Sequence, residues 1–186
     1  MSPLLSVLVD GDPQHVYAPG DKVTGRVVFM AEKQEQVKSL KLKFTGACIT
    51  RTTRPFYVSG NDADTDISTR KVYKATVPLF NFERVLMAGC TAAANKCSWT
   101  FEFEFPEQTQ TRCSKWGHGS HFNRDIHPLP PSFHTYTNEP GGEATIRYCV
   151  QAKLTRSGLK ASKTACHTLR FSNPARRNLH LQSPRT

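Results

Sequence analysis

Hydrophobic and polar residues alternate with a period of two in four segments of the chain. These segments span residues 23–30, 40–45, 99–105 and 145–154. Successive side chains of a β-strand point to opposite faces, so each segment has one apolar face and one polar face. Strands of this kind form antiparallel sheets that bury one face against a second sheet. The pattern therefore predicts strands packed in two layers.

Weaker strand patterns occur at residues 4–9, 71–82 and 163–171, and Arg156, Ser157 and Gly158 predict a hairpin turn before the last of them. No window predicts an amphipathic helix. The best candidate for a helical turn, residues 84–96, is interrupted by Gly89. Long loops are predicted at residues 58–70, 84–97 and 106–143. We expect an all-β domain, a β-sandwich, over residues 1–175, and a basic tail or linker at residues 176–186.

Several protein classes are excluded or disfavoured by the sequence. No apolar run reaches the roughly 18 residues that a membrane helix needs, and the first residues lack the basic start of a secretory signal. We therefore expect a cytoplasmic protein whose six cysteines are buried or incidental thiols. The sequence has no nucleophile elbow, phosphate loop or zinc-protease motif, so we predict no catalytic residue and no cofactor.

A metal site is the second chemical possibility. Cys113, His118 and His121 lie close together, and His127 and His134 follow them. Zinc is bound by such residues, but the spacings match no standard zinc site. We therefore interpret this stretch as a polar loop with exposed histidines.

The 186 residues carry a net charge of +10, and the charge is unevenly distributed. Residues 106–186 hold 12 Lys/Arg and 4 Asp/Glu, and no acidic residue follows Glu143. This balance favours an anionic partner: an acidic or phosphorylated protein segment, an anionic lipid surface or nucleic acid. Nucleic acid is the less favoured partner, because no helix-turn-helix, zinc finger or RNA-binding aromatic motif is present.

The basic residues of the predicted strands are the candidates for contacting that partner. Lys41 and Lys43 share the polar face opposite Leu40 and Leu42, and Arg147 and Lys153 share the polar face of a later strand. Ordinary solvent-exposed charges are the alternative interpretation. The predicted partner-binding residues are Lys41, Lys43, Arg147, Lys153, Arg156, Lys160 and Lys163.

The most distinctive local pattern runs from Tyr17 to Gly25. Pro19 presets the first central position of a turn, and Gly20 supplies the positive φ that a type II turn requires. Asp21 is expected to close the turn by bonding to nearby backbone N–H groups. Gly25, inside a strand pattern, predicts either a bulge or the close approach of another backbone.

This stretch and four later ones resemble the arrestin amino-terminal domain, most of all that of the α-arrestins common in fungi. The later stretches, in the same order, are residues 37–46 (VKSLKLKFTG), 101–106 (FEFEFP), 129–133 (LPPSF) and 146–154 (IRYCVQAKL). The similarity covers about residues 5–177, and its fixed turn and loop residues here are Tyr17, Pro19, Gly20, Asp21, Gly25, Pro130 and Pro131.

The resemblance implies an immunoglobulin-like β-sandwich without catalytic activity. It implies an adaptor that binds cytosolic tails of membrane proteins and links them to endocytic or ubiquitin-dependent sorting and signalling, at the plasma membrane or endosome. Family members also carry a second sandwich, so a truncated arrestin half is an alternative. α-Arrestins recruit HECT-class ubiquitin ligases through Pro-Pro-x-Tyr motifs. The similar stretch here, beginning at Pro130, has Phe133 in the Tyr position.

Overall fold

Nine β-strands form the regular structure of the described part of the chain. The computed structural model describes residues 4–33, 35–57, 68–92, 96–110, 126–138, 141–158 and 161–174. The strands are β1 (Leu4–Val9), β2 (Val16–Tyr17), β3 (Lys22–Met30), β4 (Glu35–Tyr57), β5 (Ser68–Ala92), β6 (Lys96–Glu104), β7 (Phe133–Thr137), β8 (Gly142–Arg156) and β9 (Lys163–Phe171). None of the described residues forms a helix long and apolar enough to span a membrane.

The strands form the two layers of a sandwich. The smaller sheet has the order β1-β3-β6, and the larger has the order β2-β9-β8-β4-β5, with β7 also paired to β8. All neighbouring strands are antiparallel except β2 and β9. The predicted all-β, immunoglobulin-like sandwich is therefore confirmed.

Aromatic rings fill the space between the two sheets. Phe44, Phe105 and Tyr148 are fully buried, and the Phe105 ring centroid lies 4.9 Å from that of Phe44 and 5.6 Å from that of Tyr148. Phe101 is also buried, and Phe103 is partly buried and packs against the core. The alternation of residues 99–105 therefore identified the inward face of β6 correctly.

The prediction of a loop at residues 84–97 is wrong. β5 continues through Val85, Leu86 and Met87 and pairs with β4 as far as Ala92. Branched and flexible apolar residues suit a partly buried strand, and β4 supplies the hydrogen-bonding partner. Gly89 takes a positive φ of 57° within this strand rather than ending a helical turn.

Two strands were missed by the sequence pattern. β7 lies inside the predicted loop 106–143, and its five residues are all exposed, so it has no apolar period to reveal it. β2 has only two residues and runs parallel to β9. Both are held in place by pairing with a neighbouring strand, which a local pattern cannot show.

The turn from Ala18 to Asp21 has the predicted type II features. Gly20 has a φ of 82°, and the Asp21 N–H donates to the Ala18 carbonyl at 3.1 Å. The Asp21 carboxylate accepts a hydrogen bond from the Ala18 N–H at 2.7 Å. The turn also holds Phe105, because Gly20 N–H donates to the Phe105 carbonyl and Phe105 N–H donates to the Asp21 carbonyl, both at 2.9 Å.

The Pro130-Pro131 segment is bonded into the sandwich. The Pro130 carbonyl accepts a hydrogen bond from the Tyr148 hydroxyl at 2.5 Å. Ser132 exchanges two hydrogen bonds with the backbone of Phe171, one through its N–H and one through its hydroxyl. These bonds fix the loop that leads into β7.

Candidate functional site

The larger sheet has one face in the core and one face directed away from it, here called the outer face. Lys41 and Lys43 alternate with the buried Leu40 and Leu42, so their side chains lie on the outer face. β8 pairs in register with β4 and places Arg147 and Lys153 on the same face. Four of the predicted partner-binding residues are thus brought together on one face.

Two of these four residues form ion pairs with an acidic neighbour. The Nζ atoms of Lys41 and Lys43 lie 2.7 and 2.8 Å from the two carboxylate oxygens of Glu83 on β5. Hydrogen bonds from Lys41 and then Lys43 lower the pKa of Glu83 from its ordinary 4.5 to about 2. This end of the outer face is therefore partly neutralised by the fold itself.

The Glu83 cluster predicts a specific loss of stability in acid. The pKa of Glu83 is lower in the folded chain than in the unfolded chain, so the cluster stabilises the fold above about pH 4.5 and loses that contribution as the pH falls towards 2. Glu83→Gln should therefore lower the melting temperature near neutral pH, and the difference from wild type should shrink in acid. Thermal melts across this range measure it. A constant difference would contradict the prediction, and Glu102→Gln, at the more exposed Lys22–Glu102 pair, is the control.

Two of the three remaining predicted residues, Arg156 and Lys163, do not join this face. The Arg156 guanidinium donates two hydrogen bonds to the Ala161 carbonyl, at 3.0 and 2.7 Å, and so ties together the turn between β8 and β9. Lys163 is paired with Leu154, which places it on the core-facing side at the end of the sheet. Lys160 lies outside the described residues.

A groove of about 580 Å³ lies on the outer face, where the second half of β4 pairs with the beginning of β5. Its cations are Arg51, Lys74 and the predicted Arg147, all of them exposed. Within the described residues, none of the three makes an ion pair. The groove therefore carries a net positive charge, which Glu143 in its lining offsets only in part.

Arg51 and Lys74 stand directly opposite each other on β4 and β5. Cβ atoms of such cross-strand partners lie about 5 Å apart, and like charges in these positions destabilise a sheet. Glu143 stands opposite Arg51 on its other side, on β8, and within the described residues it forms an ion pair with His134 rather than with Arg51. One carboxylate beside two cations offsets their charge only in part, and this arrangement favours a role in binding an anion.

The rest of the groove is part apolar and part titratable. Ile49 and Val72 supply apolar contact area, and the Val72 side chain is 48% exposed. His134 Nε2 lies 3.3 Å from Glu143 Oε1. Among the described lining residues, Glu143 supplies the negative charge. Such a surface suits an extended segment with both acidic and apolar side chains.

Sequence reasoning missed Arg51 and Lys74. A usable signal existed for Arg51, because it lies an even number of residues from Lys41 and Lys43 and so shares their face if the strand continues that far. The prediction ended that strand near Thr45, whereas β4 runs to Tyr57. For Lys74, the decisive fact is its register opposite Arg51, which the sequence alone does not contain.

None of the described cysteines lines the groove. Cys149 and Cys166 lie on the outer face as free thiols, and burial, followed by the neighbouring Cys149, raises the pKa of Cys166 to about 11. A thiol with a raised pKa is a poor nucleophile, which agrees with the interpretation as incidental thiols. Cys113, His118 and His121 lie outside the described residues, so their role stays a prediction.

Comparisons with known proteins identify the family. Residues 5–171 match the model of the arrestin (or S-antigen) N-terminal domain. No curated protein matches the chain. A solved structure similar to it is Spo0M, a sporulation control protein from Bacillus subtilis, with 13% identity and a TM-score of 0.41. That match covers 92% of this chain and 50% of the other, so the chain spans half the length of that structure. Since the family model matches most of its length, the chain belongs to the arrestin N-terminal domain family.

Proposed function

We propose that this domain is a non-catalytic adaptor of the α-arrestin kind. It binds acidic or phosphorylated segments of the cytosolic tails of membrane proteins and links them to endocytic or ubiquitin-dependent sorting and signalling. In this proposal the protein is cytoplasmic and acts at the surface of the plasma membrane or endosome. The groove on the outer face is the docking site.

The observation that carries the proposal is the Arg51–Lys74 pair, whose charge Glu143 on β8 offsets only in part. At the other end of the same face, Lys41 and Lys43 have Glu83 between them, whereas Arg51 and Lys74 face each other with no ion pair in the described structure. An acidic segment of a partner supplies negative charge to balance the excess of cations. Guanidinium groups bind carboxylate and phosphate with paired hydrogen bonds, so both kinds of acidic segment fit.

Ligase recruitment needs a different surface. The segment that resembles a Pro-Pro-x-Tyr motif is bonded to Tyr148 and Phe171, and those bonds hold the Pro130 carbonyl and the Ser132 backbone in the fold. We therefore place any contact with a HECT-class ligase elsewhere than at Pro130 and Pro131.

Reversing the charge of the groove should strongly weaken docking. Arg51→Glu combined with Lys74→Glu is expected to weaken binding of an acidic phosphopeptide by about tenfold or more, because like charges then face each other across the contact. Fluorescence anisotropy at low ionic strength measures the affinity. Wild-type binding should weaken as salt is added.

The matched control makes the same charge change on the other sheet. Arg26 and Lys96 lie on exposed positions of β3 and β6, and Arg26→Glu with Lys96→Glu should leave peptide affinity nearly unchanged. Equal loss in both double variants would mean that net charge, rather than the groove, attracts the peptide. Tight binding of duplex DNA with a steep salt dependence, and none of the peptide, would favour the nucleic-acid alternative instead.

A further inference from the structure

The outer face arranges its side chains in rows that cross four strands. Strand pairing places Lys74, Arg51, Glu143 and Tyr136 in one row, and Thr76, Ile49, Thr145 and His134 in the next. The third row contains Ala47 and, opposite it on β8, Arg147. Cationic side chains therefore occupy the first and third rows, and an apolar side chain occupies the row between them.

The distance between these rows follows from strand geometry. Arg51 and Ala47 are four residues apart on β4, and a strand rises about 3.3 Å per residue, so the first and third rows are about 13 Å apart. A peptide lying extended along β4 has the same rise. Its alternate side chains point towards the sheet, so residues i, i+2 and i+4 all face the groove.

On these grounds, and resting on the proposed function, we propose that the groove selects extended segments with two acidic side chains four residues apart and a small or apolar side chain midway between them. The first acidic side chain meets Arg51 and Lys74, the middle one packs on Ile49, and the second acidic one meets Arg147. A spacing of three fits poorly, because the second acidic side chain then points away from the sheet.

Glu143 sharpens this selection by repelling acidic ligands. It stands opposite Arg51 on β8, on the side away from Lys74, and its carboxylate is 3.3 Å from His134 Nε2. Its negative charge repels an acidic ligand side chain from the β8 side of Arg51. Such a side chain is therefore directed to the position between Arg51 and Lys74. Glu143→Gln should therefore bind acidic peptides about two- to fivefold more tightly, a gain that a damaged fold would not produce.

The test uses nine-residue peptides of identical composition that differ only in the spacing of two phosphoserines, at two, three or four residues, with alanine between them. A second set carries glutamate in place of phosphoserine and separates phosphate-specific from general anion recognition. Anisotropy against wild type is expected to show about fivefold or greater preference for the spacing of four over the spacing of three. In Arg147→Glu, that preference should disappear while the Arg51–Lys74 contact keeps the peptides bound.

Each outcome separates this proposal from the one on which it rests. If all spacings bind equally and Arg51→Glu/Lys74→Glu still weakens binding about tenfold or more, the docking site stands and the spacing rule is overturned. If no peptide responds to any groove variant, the docking site itself is wrong. Binding of phosphatidylserine vesicles in place of every peptide, reversed by the same double variant, would overturn both in favour of a membrane surface.

Discussion

Replacing Gly25 with alanine is expected to destabilise the sandwich by about 3 kcal/mol, at the upper end of the usual cost of overpacking. Gly25 lies in the middle strand of the smaller sheet, paired with Val9 on one side and Phe101 on the other. A Cβ atom there would press on the Leu8 carbonyl oxygen and lie 2.7 Å from Phe101 Cζ and 3.0 Å from Val9 Cα. Backbone atoms cannot rotate out of the way, so β1 would have to move.

Urea unfolding of the two proteins measures the difference. Gly141→Ala is the matched control, because an added Cβ there meets Thr53 only at the ordinary contact distance of 3.5 Å. We expect the control to change the free energy of unfolding by about 0.5 kcal/mol or less. If the Gly25 variant were as stable as the control, β1 would not be packed as closely on β3 as described.

Gly25 also shows how far sequence reasoning reached. Of the two predicted features, a bulge and a close backbone approach, the structure has the close approach: the pairing of β3 with both neighbours runs through Gly25 without a shift in register. The turn before it was predicted in detail. Positive φ at Gly20 and the capping by Asp21 depend on residues only a few positions apart, so they can be read locally.

The groove depended on information that no local pattern carries. Lys41 and Lys43 looked like free cations because their partner, Glu83, lies 40 or more residues away on a strand whose register was unknown. Arg51 and Lys74 are cross-strand partners because β4 and β5 continue well beyond their apolar segments. Strand length and register are set by cross-strand pairing, so the fold was predictable from the sequence while the site was only partly so.

The second large effect is expected for Phe105→Ala, which should destabilise the domain by about 3–5 kcal/mol. Phe105 is fully buried where the two sheets meet. Its ring centroid lies 4.9 Å from that of Phe44, 4.9 Å from that of Phe171 and 5.4 Å from that of Tyr17. Removing it leaves a cavity among aromatic rings, and the loss approaches the roughly 5–15 kcal/mol that stabilises a whole domain.

The same variant separates stability from docking. The hydrogen bonds that Phe105 exchanges with Gly20 and Asp21 use its backbone and survive the substitution, so the loss measures the ring alone. Phe133→Ala, at a half-exposed ring on β7, should cost about 1 kcal/mol or less by comparison.

Phe105 contacts the core-facing side of β4 through Phe44, whereas Arg51 lies on the outer face of that strand. The folded fraction of Phe105→Ala should therefore bind the acidic peptide with wild-type Kd, although less of the protein is folded. A changed Kd at equal folded concentration would mean that the core shapes the groove directly.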